Sequence, residues 1–105
     1  MPDDQKVLLD LNNVIFQEGL FALPKDEKVA VLNTLRKIRS MTWRDVYRDK
    51  GLRWEKIASV KPPSGIPAIY SLRATRSCRA TAFREGGFMR FLTITADHDA
   101  AYGGK

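Results

Sequence analysis

The chain has 105 residues, the length of a single domain with one modest core, and no second domain is expected over residues 1–105. Lysine and arginine number 18 against 12 acids, a net charge of +6, which points to polyanionic or acidic partners and says nothing about fold. A lone cysteine, Cys78, excludes an internal disulfide, and no Cys/His spacing of the zinc-site kind is present, so neither a structural metal nor a cofactor is expected. The opening MPDDQK is acidic and polar where a signal peptide is basic and then apolar, and no apolar run approaches the roughly 18 residues of a membrane helix. The expectation is a cytoplasmic protein without a membrane partner.

In chain order, KVLLDL at residues 6 to 11 is a short leucine-rich run compatible with an edge strand. Asn12 or Asn13 is placed to cap a short helix through NVIFQEGLFAL, and Pro24 stands where a second helix begins, with Asp26 and Glu27 in its first turn. That helix, PKDEKVAVLNTLRKIRSM, puts Val29, Leu32, Leu35 and Ile38 at spacings of three, which predicts its buried face, and gathers Arg36, Lys37 and Arg39 near its C-terminus. TWRDVYRDKG predicts a third short helix, capped by Thr42 with Asp45 in the reciprocal position, burying Trp43, Val46 and Tyr47 and ended by Gly51.

From residue 52 the period changes to two, and the proline-rich SVKPPSGIP at residues 59 to 67 cannot lie inside a sheet. AIYSLRAT places Tyr70, Leu72 and Ala74 on one face and Ser71, Arg73 and Thr75 on the other. CRATAF likewise separates Ala80 and Ala82 from Arg79 and Thr81, so Arg73 and Arg79 are expected to share a face. Glu85, Gly86 and Gly87 predict a tight turn into FMRFLTIT, whose near-continuous apolar character suits a central strand covered on both sides. The order of elements predicts an α+β two-layer domain, with helices on one face of a small antiparallel sheet and Leu32, Leu35, Phe91 and Ile94 in the core.

Two stretches, LFALPKDEKVAVLNTLRKI and GIPAIYSLRATRSCRATAFREGGFMRFLTITADHDAAY, carry these features in an order that resembles the RelE/ParE toxin superfamily over roughly residues 6 to 102. The resemblance implies a two-layer fold in which an N-terminal helical hairpin packs on a small, mainly antiparallel sheet. It implies a toxin of a toxin–antitoxin pair, with an acidic antitoxin as partner. On the favoured RelE/YoeB/HigB-like branch the activity is a ribosome-associated, metal-independent mRNA endonuclease, with the ribosome and mRNA as further partners; on the ParE-like branch it is non-enzymatic inhibition of DNA gyrase. A nucleic-acid-binding module without catalysis also fits the charge alone.

Metal-free cleavage of RNA uses the 2′-hydroxyl as nucleophile. It needs a base near that hydroxyl, cations where charge develops on the phosphate, and an acid for the leaving 5′-oxygen. Arg79 falls where the resemblance places a phosphate-binding arginine, with Arg73 and Arg76 beside it; the ordinary alternative is that these arginines only solvate the open face of the sheet. His98 is the only side chain whose unperturbed pKa lies near neutrality, and Tyr102 corresponds to the late tyrosine of RNA-cleaving relatives. A polar tail and a packing residue are the plainer readings of the two. Lys56 and Lys61 fall where the RelE branch carries lysines, and Glu55 is a general base if a YoeB-like acid on this strand applies. The tail ADHDAAY departs from the basic tails of many relatives, since Asp97 and Asp99 flank His98 and favour its protonated form. Cys78, near Arg76 and Arg79, is either a thiol of lowered pKa or a buried small strand residue.

Overall fold

The structure is a computed structural model and describes residues 2–96. A 3₁₀ turn, Pro2–Asp4, leads into strand β1, Leu8–Asp10. Helices α1, Val14–Phe21, α2, Lys25–Arg39, and α3, Trp43–Arg48, follow. The sheet is completed by β2, Glu55–Lys56, β3, Tyr70–Thr75, β4, Cys78–Glu85, and β5, Phe88–Ala96. Strand order is β1-β5-β4-β3-β2, with β1 at an edge, parallel to β5, and every other described pair antiparallel. Helices cover one face of a mainly antiparallel sheet, the expected α+β arrangement.

Each helix begins where its local chemistry directs. Asn13 is extended and its side chain accepts the Phe16 N–H at 3.0 Å, capping α1. Pro24 precedes α2, whose first turn carries Asp26 and Glu27 and whose last turn carries Arg36, Lys37 and Arg39, so both ends complement the helix dipole. Thr42 and Asp45 form the reciprocal capping box of α3. That helix stops at Arg48, short of Gly51, and the Asp49 carboxylate accepts the Leu52 N–H at 2.9 Å to turn the chain.

Helix α2 buries Val31, Leu35 and Ile38 and leaves Val29 and Leu32 50% and 54% exposed. The expected stripe is therefore right at Leu35 and Ile38 and wrong at Val29 and Leu32. Polar anchors set the rotation of the helix. The Thr34 hydroxyl donates to the Ala74 carbonyl at 2.6 Å, and Glu27 reaches over the β3–β4 turn to accept from the hydroxyls of Thr75 and Ser77. The core face of the sheet beneath the helices carries Ala74, Ala80 and Ala82, small residues that admit close approach. Trp43 and Val46 of α3 are buried as expected, whereas Tyr47 is half exposed because its hydroxyl accepts from Arg84 at 2.7 Å.

Among the described residues, elements pack on one face of β5 and not on both. Leu92 is an extra residue between the pairs Phe91–Ala82 and Thr93–Thr81, and such a bulge reverses the inward–outward alternation. Phe91 and Ile94 consequently both enter the core, and the apolar run FMRFLTIT records the bulge. A second irregularity leaves Ala74 between the pairs Arg73–Arg79 and Thr75–Cys78, so Thr75 turns toward α2 and does not share the face of Ser71 and Arg73. Gly19 of α1 lies so close to the Ile94 carbonyl that any β-carbon there would collide with it, which seats α1 directly on β5. Among the described residues no helix is long and apolar enough to cross a membrane.

Candidate nucleic-acid interface

The face of the sheet opposite the helices is organised in cross-strand rows, because residues directly paired across antiparallel strands point the same way. One row pairs Arg73 of β3 with Arg79 of β4 and Arg79 with Thr95 of β5. The next row runs Glu55, Ser71, Thr81 and Thr93 across four strands, and the hydroxyls of Thr81 and Thr93 are 2.7 Å apart. The expectation that Arg73 and Arg79 share a face is met in its strongest form: they are direct cross-strand partners. Both are half-buried, and Arg79 also engages other groups. Like charges directly opposite one another destabilise a sheet, a cost that a negatively charged group brought to this face would offset.

Arg76 sits in the exposed β3–β4 turn. With Arg73 and Lys37 it lines a notch of about 200 Å³ between the C-terminal half of α2 and the end of β3. Lys37 was visible in the sequence only as a helix-end cation; nothing in its spacing signalled that it would meet Arg73 and Arg76. It is also held at 3.0 Å by Asp49, whose carboxyl its ammonium keeps below the usual carboxylate range. Lys56 and Lys61 come together elsewhere, at a cleft of about 360 Å³ between β2 and the proline-rich loop that shares no lining residue with the first. The structure thus divides the expected cations into an arginine group and a lysine group.

Glu55 lies one row from the arginine pair and is exposed, with the Arg53 guanidinium 3.8 Å away. The resemblance implied a base here only if a YoeB-like acid on this strand applies; the row puts Glu55 on the arginine face. Of the two readings of Cys78, the buried small strand residue is the one the structure shows, and burial pushes its thiol pKa up instead of down. Its sulfur faces the Glu27 carboxylate at 3.7 Å, an environment that opposes a thiolate. His98 and Tyr102 lie outside the described residues. The described chain ends at Ala96, which pairs with Cys78, one step from the Thr95–Arg79 pair.

Arg84 and Arg90, at the opposite end of the β4–β5 hairpin, are held within the fold. Arg84 lies 4.4 Å over the Trp43 ring and donates to Asp3 at 3.2 Å. Arg90 pairs with Asp10 and with Glu85.

No family model matches the chain, and no curated protein matches it. Its fold is similar to that of a chain in the crystal structure of the archaeal RelE–RelB complex from Pyrococcus horikoshii OT3, with a TM-score of 0.52 over 90% of this chain and 96% of that one, at 18% sequence identity. The helical hairpin and the sheet that the ordered sequence patterns implied are those of a RelE-like fold.

Proposed function

We propose that the protein is the toxin of a toxin–antitoxin pair and cleaves messenger RNA on the ribosome without a metal ion. The observation that carries this reading is the direct pairing of Arg73 with Arg79 on the open face of the sheet, with Glu55 in the adjoining row. The strand beside Arg79 leads directly into the tail that holds His98 and Tyr102. Glu55 takes the proton of the 2′-hydroxyl, the resulting oxyanion attacks the adjacent phosphorus, and Arg73 and Arg79 stabilise the charge gathering on the phosphoryl oxygens. His98, whose protonated form is favoured by Asp97 and Asp99, gives its proton to the departing 5′-oxygen. The products are a 2′,3′-cyclic phosphate and a 5′-hydroxyl. Tyr102 stacks on a base or positions the 2′-hydroxyl. Arg76 extends the cationic surface along the backbone of the message, and Lys56 and Lys61 hold a second stretch of RNA. An acidic antitoxin neutralises the toxin by covering this face.

Induction of the chain in growing cells, with mapping of message ends on translating ribosomes, tests the reading. The expected result is growth arrest with cleavage inside translated messages. His98→Ala slows cleavage by about 100- to 10,000-fold, and Tyr102→Phe separates the phenol oxygen from the ring. Growth arrest that survives both Arg79→Ala and His98→Ala, accompanied by gyrase-linked DNA breaks, replaces this reading with the ParE-like one.

A further inference from the structure

Among the described residues, the left-handed backbone region is occupied by Gly65 (φ 89°), Gly86 (φ 61°) and Arg53 (φ 54°). A glycine adopts it at no steric cost, whereas for a long side chain it is an outlier that the surrounding structure must hold in place. The segment around Arg53 is held at several points. The Arg53 N–H reaches the Asp49 carbonyl at 3.4 Å, Leu52 beside it is buried, and the Leu52 carbonyl accepts the Arg73 N–H at 2.7 Å. Two residues further on, Glu55 pairs with Ser71 of β3. The turn itself needs no guanidinium, since glycine takes this conformation with less strain. What the arginine adds is charge: its Nε lies 3.8 Å from the Glu55 carboxylate, and Arg53 is the ion partner of Glu55 among the described residues. The two side chains are 45% and 59% exposed, and an exposed pair at this separation contributes almost nothing to stability. A strained residue whose ionic contact does little for the fold is explained by what it does to its partner. We infer that Arg53 is a positioning residue, whose left-handed backbone brings its guanidinium to Glu55 and keeps that carboxylate in place beside the Arg73–Arg79 pair. The inference rests on the proposed function, in which Glu55 takes the proton of the 2′-hydroxyl. A glutamate on an edge strand of two residues is otherwise able to change rotamer, and a base confined before the message arrives leaves less to be ordered during the reaction. The bond from Arg73 to Leu52 ties the segment carrying the base to the strand carrying the phosphate-binding arginine, so both move as one frame.

Thermal unfolding and single-turnover cleavage on purified translating ribosomes test this with Arg53→Gly, Arg53→Lys, Glu55→Gln and the double variant Arg53→Gly/Glu55→Gln. Arg53→Gly should melt at or above the wild-type temperature, because the backbone strain is relieved. It should nevertheless cleave about 10- to 100-fold more slowly at saturating protein, with the half-saturating concentration unchanged. Arg53→Lys keeps the cation and the strain but loses the planar fork, and its rate should lie between those of Arg53→Gly and the wild type. Adding Arg53→Gly to Glu55→Gln should cost no further rate, since the arginine acts through the glutamate. A full wild-type rate in Arg53→Gly overturns the inference and leaves the proposed cleavage standing. So does a double variant in which the two losses multiply, which makes Arg53 an independent contact to the message, or an Arg53→Gly protein that melts well below the wild type. Messages left intact by the wild type overturn the proposed function and this inference with it.

Discussion

The two ends of the sheet treat arginine in opposite ways. At the Gly86–Gly87 turn, Arg84 stacks on Trp43, donates to Tyr47 at 2.7 Å and pairs with Asp3, while Arg90 is shared by Asp10 and Glu85 and lies 4.8 Å over the Phe88 ring. At the other end Arg73 faces Arg79 across β3–β4 and Arg76 occupies the turn, while the nearby Glu27 is directed to the hydroxyls of Thr75 and Ser77 and to Cys78. Residue type is the same at both ends; the acids and aromatic rings supplied by distant parts of the chain differ. Arginine sandwiched by rings and carboxylates holds the fold together. Arg73 and Arg79 stand opposite one another across two strands, and Arg79 engages further groups, so among the described residues this end brings like charges together where the other end surrounds each arginine with rings and carboxylates.

The sharpest way to break this comparison is to remove one arginine from each end. Arg79→Ala should lower the rate of message cleavage by about 100- to 1000-fold, the usual loss for one donor at a developing oxyanion, in a variant that thermal unfolding shows to be folded at the assay temperature. Arg84→Ala should do the reverse, costing about 1 to 3 kcal/mol of stability in urea unfolding through the lost stacking and hydrogen bonds, while the folded fraction keeps its activity. Equal activity losses in the two variants would erase the distinction between the ends.

The two faces of α2 supply a second contrast, larger in stability than the first. Leu35→Ala should cost about 2 to 5 kcal/mol, since its side chain is buried over the sheet. Leu32→Ala should change stability by less than about 0.5 kcal/mol. A large cost at Leu32 would mean that the helix is rotated from its position here.

The smallest expected effect concerns pH. Asp10 is held below the ordinary carboxylate value of 3.8, first by the Asn12 backbone N–H and then by Arg90, and Asp49 is held down first by Lys37. For a carboxylate with a depressed folded pKa, the stabilisation is complete above the unfolded value and disappears as pH falls through the folded one. Stability should therefore decline below about pH 4, and Asp10→Asn should flatten part of that decline. An acid limb unchanged by Asp10→Asn would show that the Asp10–Arg90 pair at the turn end contributes nothing to folding.

Much of the fold was legible because local signals and tertiary structure agree. Asn13, Pro24 and the Thr42–Asp45 box mark helix starts that need no distant partner, and Tyr70 to Arg73 and Arg79 to Ala82 alternate cleanly enough to set a common face. What was not legible depends on one inserted residue or on one distant contact. The Leu92 bulge makes β5 read as doubly covered, because alternation is interrupted without any glycine or proline to announce it. The rotation of α2 is set by Thr34 and Glu27 reaching residues about 40 to 50 positions away, which periodicity at three cannot see. In the site, the Arg73–Arg79 pairing was visible from strand parity, whereas Lys37 entered through helix–sheet packing alone and Glu55 through a strand of two residues.

On the proposed function, the Arg73–Arg79 pair is the catalytic anion site of an RNA-cleaving toxin. This assignment is tested most directly by mapping message ends on purified translating ribosomes incubated with the wild type and with folded Arg73→Ala and Arg79→Ala variants. The expected result is discrete cleavage with 2′,3′-cyclic phosphate ends for the wild type, reduced about 100-fold or more in each variant. Intact messages with the wild type, or equal cleavage by all three proteins, would contradict it.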